Sequence, residues 1–155
     1  MYIRDITYTD FNGEERTDTC CFHLTKAEVV DWLTTSGDYT LDKVVEKLVS
    51  SHNGKEIMNI FKDMIRRSYG VKSLDGKRFI KTKEVQDEFF ESEAYSVLFM
   101  ELVTDAAKAG EFFMGILPSD LSDEINKFMK DSENLPEEFK KYFGEKKPEA
   151  IEQKK

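Results

Sequence analysis

An alternating stretch folded about an Asn-Gly turn constrains this chain more than any other feature. Residues Tyr2 to Leu24 read as two strands joined at Phe11-Asn12-Gly13, because Asn-Gly supplies the left-handed backbone that tight hairpins need. Loop length then decides which side chains share a face. A two-residue Asn12-Gly13 loop sets Ile6 and Tyr8 opposite Cys20, Phe22 and Leu24. A three-residue loop, Phe11 to Gly13 with Gly13 left-handed, puts Tyr2, Ile6, Tyr8, Cys20, Phe22 and Leu24 together. Only the second gives a buriable face; it leaves Thr7, Thr9, Glu15, Thr17 and Thr19 to solvent.

Helical periodicity follows. Thr25-Lys26-Ala27-Glu28 has the form of a capping box, opening a helix to about Thr35 with Val29, Trp32 and Leu33 inward. Gly37 follows as a stop. Leu41, Val44, Val45, Leu48 and Val49 mark a second amphipathic helix from Thr40. Asn53 is placed to cap a third, with Ile57, Ile60, Phe61, Met64 and Ile65 on one stripe and Gly70 as its stop. Burying those five side chains is worth about 10 kcal/mol before entropy. Ser73 to Lys77, with Asp75-Gly76, reads as a turn or small hairpin presenting Phe79 and Ile80.

From Thr82 a short helix carries Val85, Phe89 and Phe90, and the next carries Tyr95, Leu98, Phe99, Leu102 and Val103. Thr104-Asp105 re-caps the chain. Ala106, Ala109, Phe112, Phe113, Ile116 and Leu117 then continue until Pro118 forbids a further turn. Asp120 to Lys130 has the pattern of one more helix, with Leu121, Ile125, Phe128 and Met129. Beyond Asp131 the chain is mostly Glu and Lys, and after Gly144 it reads as disordered. Leu135, Phe139, Tyr142 and Phe143 interrupt that polar run. They either pack back on the domain or form a short amphipathic helix that docks on a partner.

Thirty-one acidic and 23 basic residues give the 155-residue chain a net charge of −8, which disfavours generic attraction to nucleic acid or anionic membrane. No apolar run approaches the roughly 18 residues that span a bilayer. The N-terminus lacks a signal-peptide layout, so a cytosolic protein is expected. Cys20 and Cys21 are the only cysteines. Adjacent cysteines rarely close an unstrained disulfide, and strand alternation sends their thiols to opposite faces, which argues against a metal site with His23. Cys20 reads as a small core hydrophobe.

Catalytic patterns are missing as well. His23 and His52, the two histidines, read as surface residues rather than general bases. The glycines form no phosphate loop. Acidic pairs such as Glu14-Glu15 and Asp87-Glu88 read as solvated faces. A non-catalytic binding domain without cofactor or metal is expected.

Several ordered motifs resemble one family. They are Ile6-Thr7-Tyr8-Thr9-Asp10-Phe11-Asn12-Gly13, Leu24-Thr25-Lys26-Ala27-Glu28, Gly54-Lys55-Glu56-Ile57, Ile60-Phe61-Lys62-Asp63 and Ser68-Tyr69-Gly70. The series continues with Asp75-Gly76-Lys77-Arg78-Phe79-Ile80-Lys81, Glu93-Ala94-Tyr95-Ser96, Leu98-Phe99-Met100-Glu101-Leu102, Thr104-Asp105-Ala106 and Gly115-Ile116-Leu117-Pro118. Together they resemble the tail assembly chaperones of long-tailed phages and prophages of Gram-positive bacteria. The motifs run from Tyr2 to Pro118, and Ser119 to Lys155 falls outside them.

The resemblance implies a protein that works in the host bacterial cytoplasm and is absent from the mature virion. It implies binding to the tape measure protein, which is kept soluble, and recruitment of major tail tube subunits. A frameshifted longer form of the chain is a further implied partner, and no catalytic residue carries over. A minor tail or tail-completion protein retained in the virion is the alternative. Met58, Met64, Met100, Met114 and Met129 offer adaptable contacts to such a partner, or fill gaps in the core. The expected architecture is α+β: an N-terminal β-hairpin packed on a bundle of about five or six α-helices, with a flexible charged C-terminal tail. Residues 1–118 form the chaperone-like domain and residues 119–155 a C-terminal extension. Leu135, Phe139, Tyr142 and Phe143 are the expected partner-binding residues.

Overall fold

The computed structural model describes residues 1–36 and 54–123. Strands β1 (Tyr2–Thr9) and β2 (Glu15–Phe22) pair antiparallel, Tyr2 opposite Phe22 and Thr9 opposite Glu15. The loop has three residues, and Gly13 stands at φ 83°, where an L side chain is strained. Asp10 organises the loop by accepting from the Asn12 and Glu14 amides at 2.9 and 3.0 Å. Ile6, Cys20, Phe22 and Leu24 are buried, Tyr2 and Tyr8 pack partly against the core, and the threonine face is exposed. The register is the one that a buried face requires.

Helix α1 (Lys26–Ser36) opens on the capping box. The Glu28 amide donates to Thr25 Oγ1 at 3.2 Å, and the Thr25 amide to Glu28 Oε1 at 3.0 Å. Val29, Trp32 and Leu33 are buried. The helix expected over Thr40 to Val49, the cap at Asn53 and His52 lie outside the described residues. Helix α2 (Gly54–Ser68) buries Phe61, Met64 and Ile65, with Ile57 and Ile60 partly buried beside them.

Gly70 is not a helix stop. Strand β3 (Tyr69–Lys72) follows α2 without a linker and pairs with the end of β2, Phe22 opposite Tyr69 and Cys21 opposite Gly70. It turns through Ser73–Arg78 into β4 (Phe79–Ile80), which completes a four-stranded sheet in the order β1-β2-β3-β4. A helix needs a capping glycine when its last carbonyls lack partners. Here Ser68 Oγ donates to Met64 O at 2.6 Å, Gln86 Nε2 donates to Arg66 O, Lys81 Nζ to Arg67 O at 2.8 Å, and the His23 amide to Ser68 O at 2.7 Å. Gly70 instead allows close approach: a Cβ there would stand 2.8 Å from the Phe79 ring and 2.9 Å from Ile80 O.

Helices α3 (Lys83–Phe90), α4 (Glu93–Thr104) and α5 (Ala106–Ile116) complete the body. Thr82 Oγ1 caps α3, and Asp105 caps α5 by accepting from the Ala107 and Lys108 amides. Helix α4 lies across β1. There Arg4 Nη2 donates to both oxygens of Glu101, which also accepts from Lys108 Nζ. Leu98, Leu102, Phe112, Phe113 and Ile116 fill the centre around Phe22 and Leu24. A helical segment restarts over residues 119–123, and buried Ser122 donates to Met114 O at 3.0 Å. The rest of the helix expected over Asp120 to Lys130, and the charged tail, lie outside the described residues.

Lys81 ties three segments together. Its ammonium donates to His23 O at 2.6 Å, to Arg67 O and to Glu28 Oε2, with only 14% of the side chain exposed. Burial pulls its pKa below the ordinary lysine value, against the pull of Glu28. Burial also raises the Glu28 pKa, but the Lys81 hydrogen bond and the Thr25 amide outweigh this and hold it below 4.5. A carboxylate depressed in the folded state adds stability above its unfolded pKa and loses it as pH falls through the folded one.

Replacing Lys81 by Met leaves three acceptors short of a partner and is expected to cost about 3 kcal/mol in urea unfolding; an unchanged midpoint would contradict the three-way contact. Wild-type stability should fall as pH drops below about 4.5, the ordinary value of Glu28. Glu28→Gln should flatten that slope, and chemical denaturation at a series of pH values reads it directly.

Candidate partner-binding surface

Of the four residues expected to bind a partner, Leu135, Phe139, Tyr142 and Phe143, all lie outside the described residues. The methionines divide: Met64 and Met114 are buried, whereas Met58 and Met100 are 44% and 53% exposed. Met129 lies outside the described residues.

Met58 and Met100 border a surface that helical periodicity alone does not reveal. Helix α4 is apolar over most of its circumference, and its outer side mixes Val97 and Met100 with Ser96 and Thr104. Ala94, Leu98 and Leu102 enter the core, Tyr95, Phe99 and Val103 are half-buried, and Val97 and Met100 are exposed. Among the described residues, the outer side of α4 is bare.

Next to that side runs a seam between α4 and α2. Met58, Lys62 and Arg66 stand four residues apart on α2 and so share one stripe. Lys62 Nζ lies 5.8 Å from the Phe99 ring and the Arg66 guanidinium 4.1 Å from the Phe90 ring. Phe90 and Tyr95 meet at 4.3 Å between ring centroids, and Tyr95 and Phe99 at 5.8 Å. The result is a row of half-buried rings with the two cations held over the Phe99 and Phe90 rings by cation–π attraction. Such a row suits the apolar stripe of a helix laid into it.

Other groups with chemical potential are placed as follows. Cys20 is buried, its thiol pushed up to about 12 mainly by burial, as a core hydrophobe should be. Cys21 is half-buried and free. His23 is not a surface residue: it is half-buried against the Phe79 ring, its Nδ1 is enclosed without a partner, and burial lowers its pKa. Position in the alternation missed this, because the ring that meets His23 comes from Phe79, distant in sequence. Beneath the hairpin tip, Glu88, Glu91 and Glu93 line a shallow depression of about 310 Å³ with Phe11, which is 78% exposed. Among the described residues no three His, Cys, Asp or Glu side chains converge as metal ligands, and no helix is long and apolar enough to cross a membrane.

The family of phage tail assembly chaperones matches the chain over residues 1–155, and the chain belongs to that family. The match includes Ser119 to Lys155, which the motif series does not reach. No curated protein and no solved structure matches the chain.

Met100→Glu is expected to change the free energy of urea unfolding by no more than about 0.5 kcal/mol. Leu98→Ala, two residues earlier and fully buried, should cost about 3 kcal/mol. Equal losses would mean that the outer side of α4 is packed.

Proposed function

We propose that this chaperone keeps the tape measure protein soluble in the host cytoplasm by seating an apolar helical segment on the outer face of α4 and in the α2–α4 seam. The exposed apolar side chains Val97 and Met100 on the outer side of α4, uncovered among the described residues, are the observation that carries this reading. Exposed Met58 and Met100 support it, since thioether side chains adapt to varied apolar partners. The net charge of −8 would keep a complex with an apolar chain dispersed. Leu135, Phe139, Tyr142 and Phe143 are proposed as a second contact, on the grounds of their spacing in an otherwise polar run. In the same reading the chaperone brings tail tube subunits to the tape measure protein, works beside a frameshifted longer form and leaves before the virion is complete.

Co-expression tests the proposal. The tape measure protein of the same phage should stay in the soluble fraction with the wild-type chain. It should precipitate with a Met58→Glu/Met100→Glu variant of unchanged stability. Equal precipitation with and without the wild-type chain would overturn the reading. Abundant chain in purified virions would favour a structural tail protein instead.

A further inference from the structure

We infer that the outer edge of β1 pairs with β1 of a second copy of the chain, joining two molecules through one continuous sheet. This inference does not depend on the tape measure reading. It rests on which backbone groups the hairpin register leaves open. The Asp10 amide bonds Glu14 O, and the His23 amide bonds Ser68 O. In an antiparallel ladder, residues point their amide and carbonyl alternately to one side and the other. Even-numbered residues of β1 therefore bond β2, while Ile3, Asp5, Thr7 and Thr9 direct theirs outward. Among the described residues no strand lies beyond β1.

Natural sheets blunt such an edge with a proline, a bulge, charged side chains or a very short strand. Strand β1 has no proline and no bulge, and its two charged side chains are already engaged, Arg4 by Glu101 and Asp5 by the Thr19 hydroxyl. Strand β1 has eight residues, TyrIleArgAspIleThrTyrThr, and its pairing with β2 is unbroken from Tyr2 to Thr9. Val97 adds apolar surface. It is exposed, and it sits one turn before Glu101, on the side of α4 that meets Arg4 of β1.

Charge admits a second copy as occupant, with Arg4 of one molecule facing the Tyr8–Asp18 pair of the other, and it fixes the register. Outward-bonding residues must oppose one another, so two antiparallel registers of β1 on itself pair seven residues. One sets Asp5 against Asp5, and like charges directly opposite are unfavourable. The other places the two-fold axis at Ile6, with Ile3 opposite Thr9, Arg4 opposite Tyr8 and Asp5 opposite Thr7. It has no like-charge pair. Arg4 then approaches a Tyr8 whose hydroxyl already holds the Asp18 carboxylate at 2.6 Å. Four outward pairs exchanging two bonds each would close about eight backbone hydrogen bonds.

Light scattering of the full chain after size exclusion, over a range of concentrations, tests the inference. The wild type should approach twice its 18.1 kDa chain mass. Thr7→Pro removes one outward amide while sparing the bonds to β2, and should weaken association at least tenfold with an unchanged far-ultraviolet spectrum. Thr7→Asp opposes two aspartates in the chosen register and should weaken it too, and adding Asp5→Lys should restore it. A monomeric wild type, or a dimer indifferent to both Thr7→Pro and Thr7→Asp, would overturn the inference. Failure of the charge swap to restore association would overturn the register.

Discussion

The C-terminus of α2 is the point on which the other elements depend. Its last carbonyls emerge inside the protein, where an unpaired acceptor costs about 1–3 kcal/mol. Four separate segments satisfy them: Ser68 itself, the His23 amide at the end of β2, Lys81 at the end of β4 and Gln86 in α3. Lys81 then ties the same point to the start of α1 through Glu28. One residue further, the Leu24 amide donates to Ile116 O at 2.7 Å, which fixes the end of α5. A helix terminus capped in this way sets the positions of α1, α3, α5 and the sheet together.

From that junction the remaining layout follows. The hairpin leaves it as a ribbon whose apolar side is covered by α4 and α5, and whose outer side is polar and, among the described residues, bare. Arg4, Glu101 and Lys108 hold β1, α4 and α5 in line. Helix α4 is thereby pinned by its core side, by β1 and by the aromatic row shared with α2 and α3, and its fourth side faces outward. The exposed apolar surface is a consequence of how the body is assembled, not a loose segment.

Much of this was legible in the residues. The Asn12-Gly13 turn and the alternation of Ile6, Cys20 and Phe22 specify the hairpin register, because the wrong loop length would expose the apolar set. Thr25 with Glu28, Thr82 and Asp105 announce three helix starts by their capping chemistry. Strand β3 was not legible. Tyr69-Gly70-Val71-Lys72 is too short to show a period of two, and Gly70 after an amphipathic helix has the look of a stop. Only the distant Lys81, Gln86 and His23 make that stop unnecessary, and no local pattern encodes them. The half-burial of His23 was hidden for the same reason. The seam escaped notice because Tyr95, Phe99 and Val103 match a core stripe as well as they match a surface one. Periodicity places side chains on a helix but does not say which neighbours cover them.

Hydrogen exchange of the chaperone, alone and bound to its tape measure protein, tests the central proposal most directly. The account predicts new protection in residues 54–68 and 93–104, the two helices that form the seam, with little change at the hairpin tip around Phe11. Protection confined to the hairpin or to α1, with α2 and α4 unchanged in a saturated complex, would contradict it.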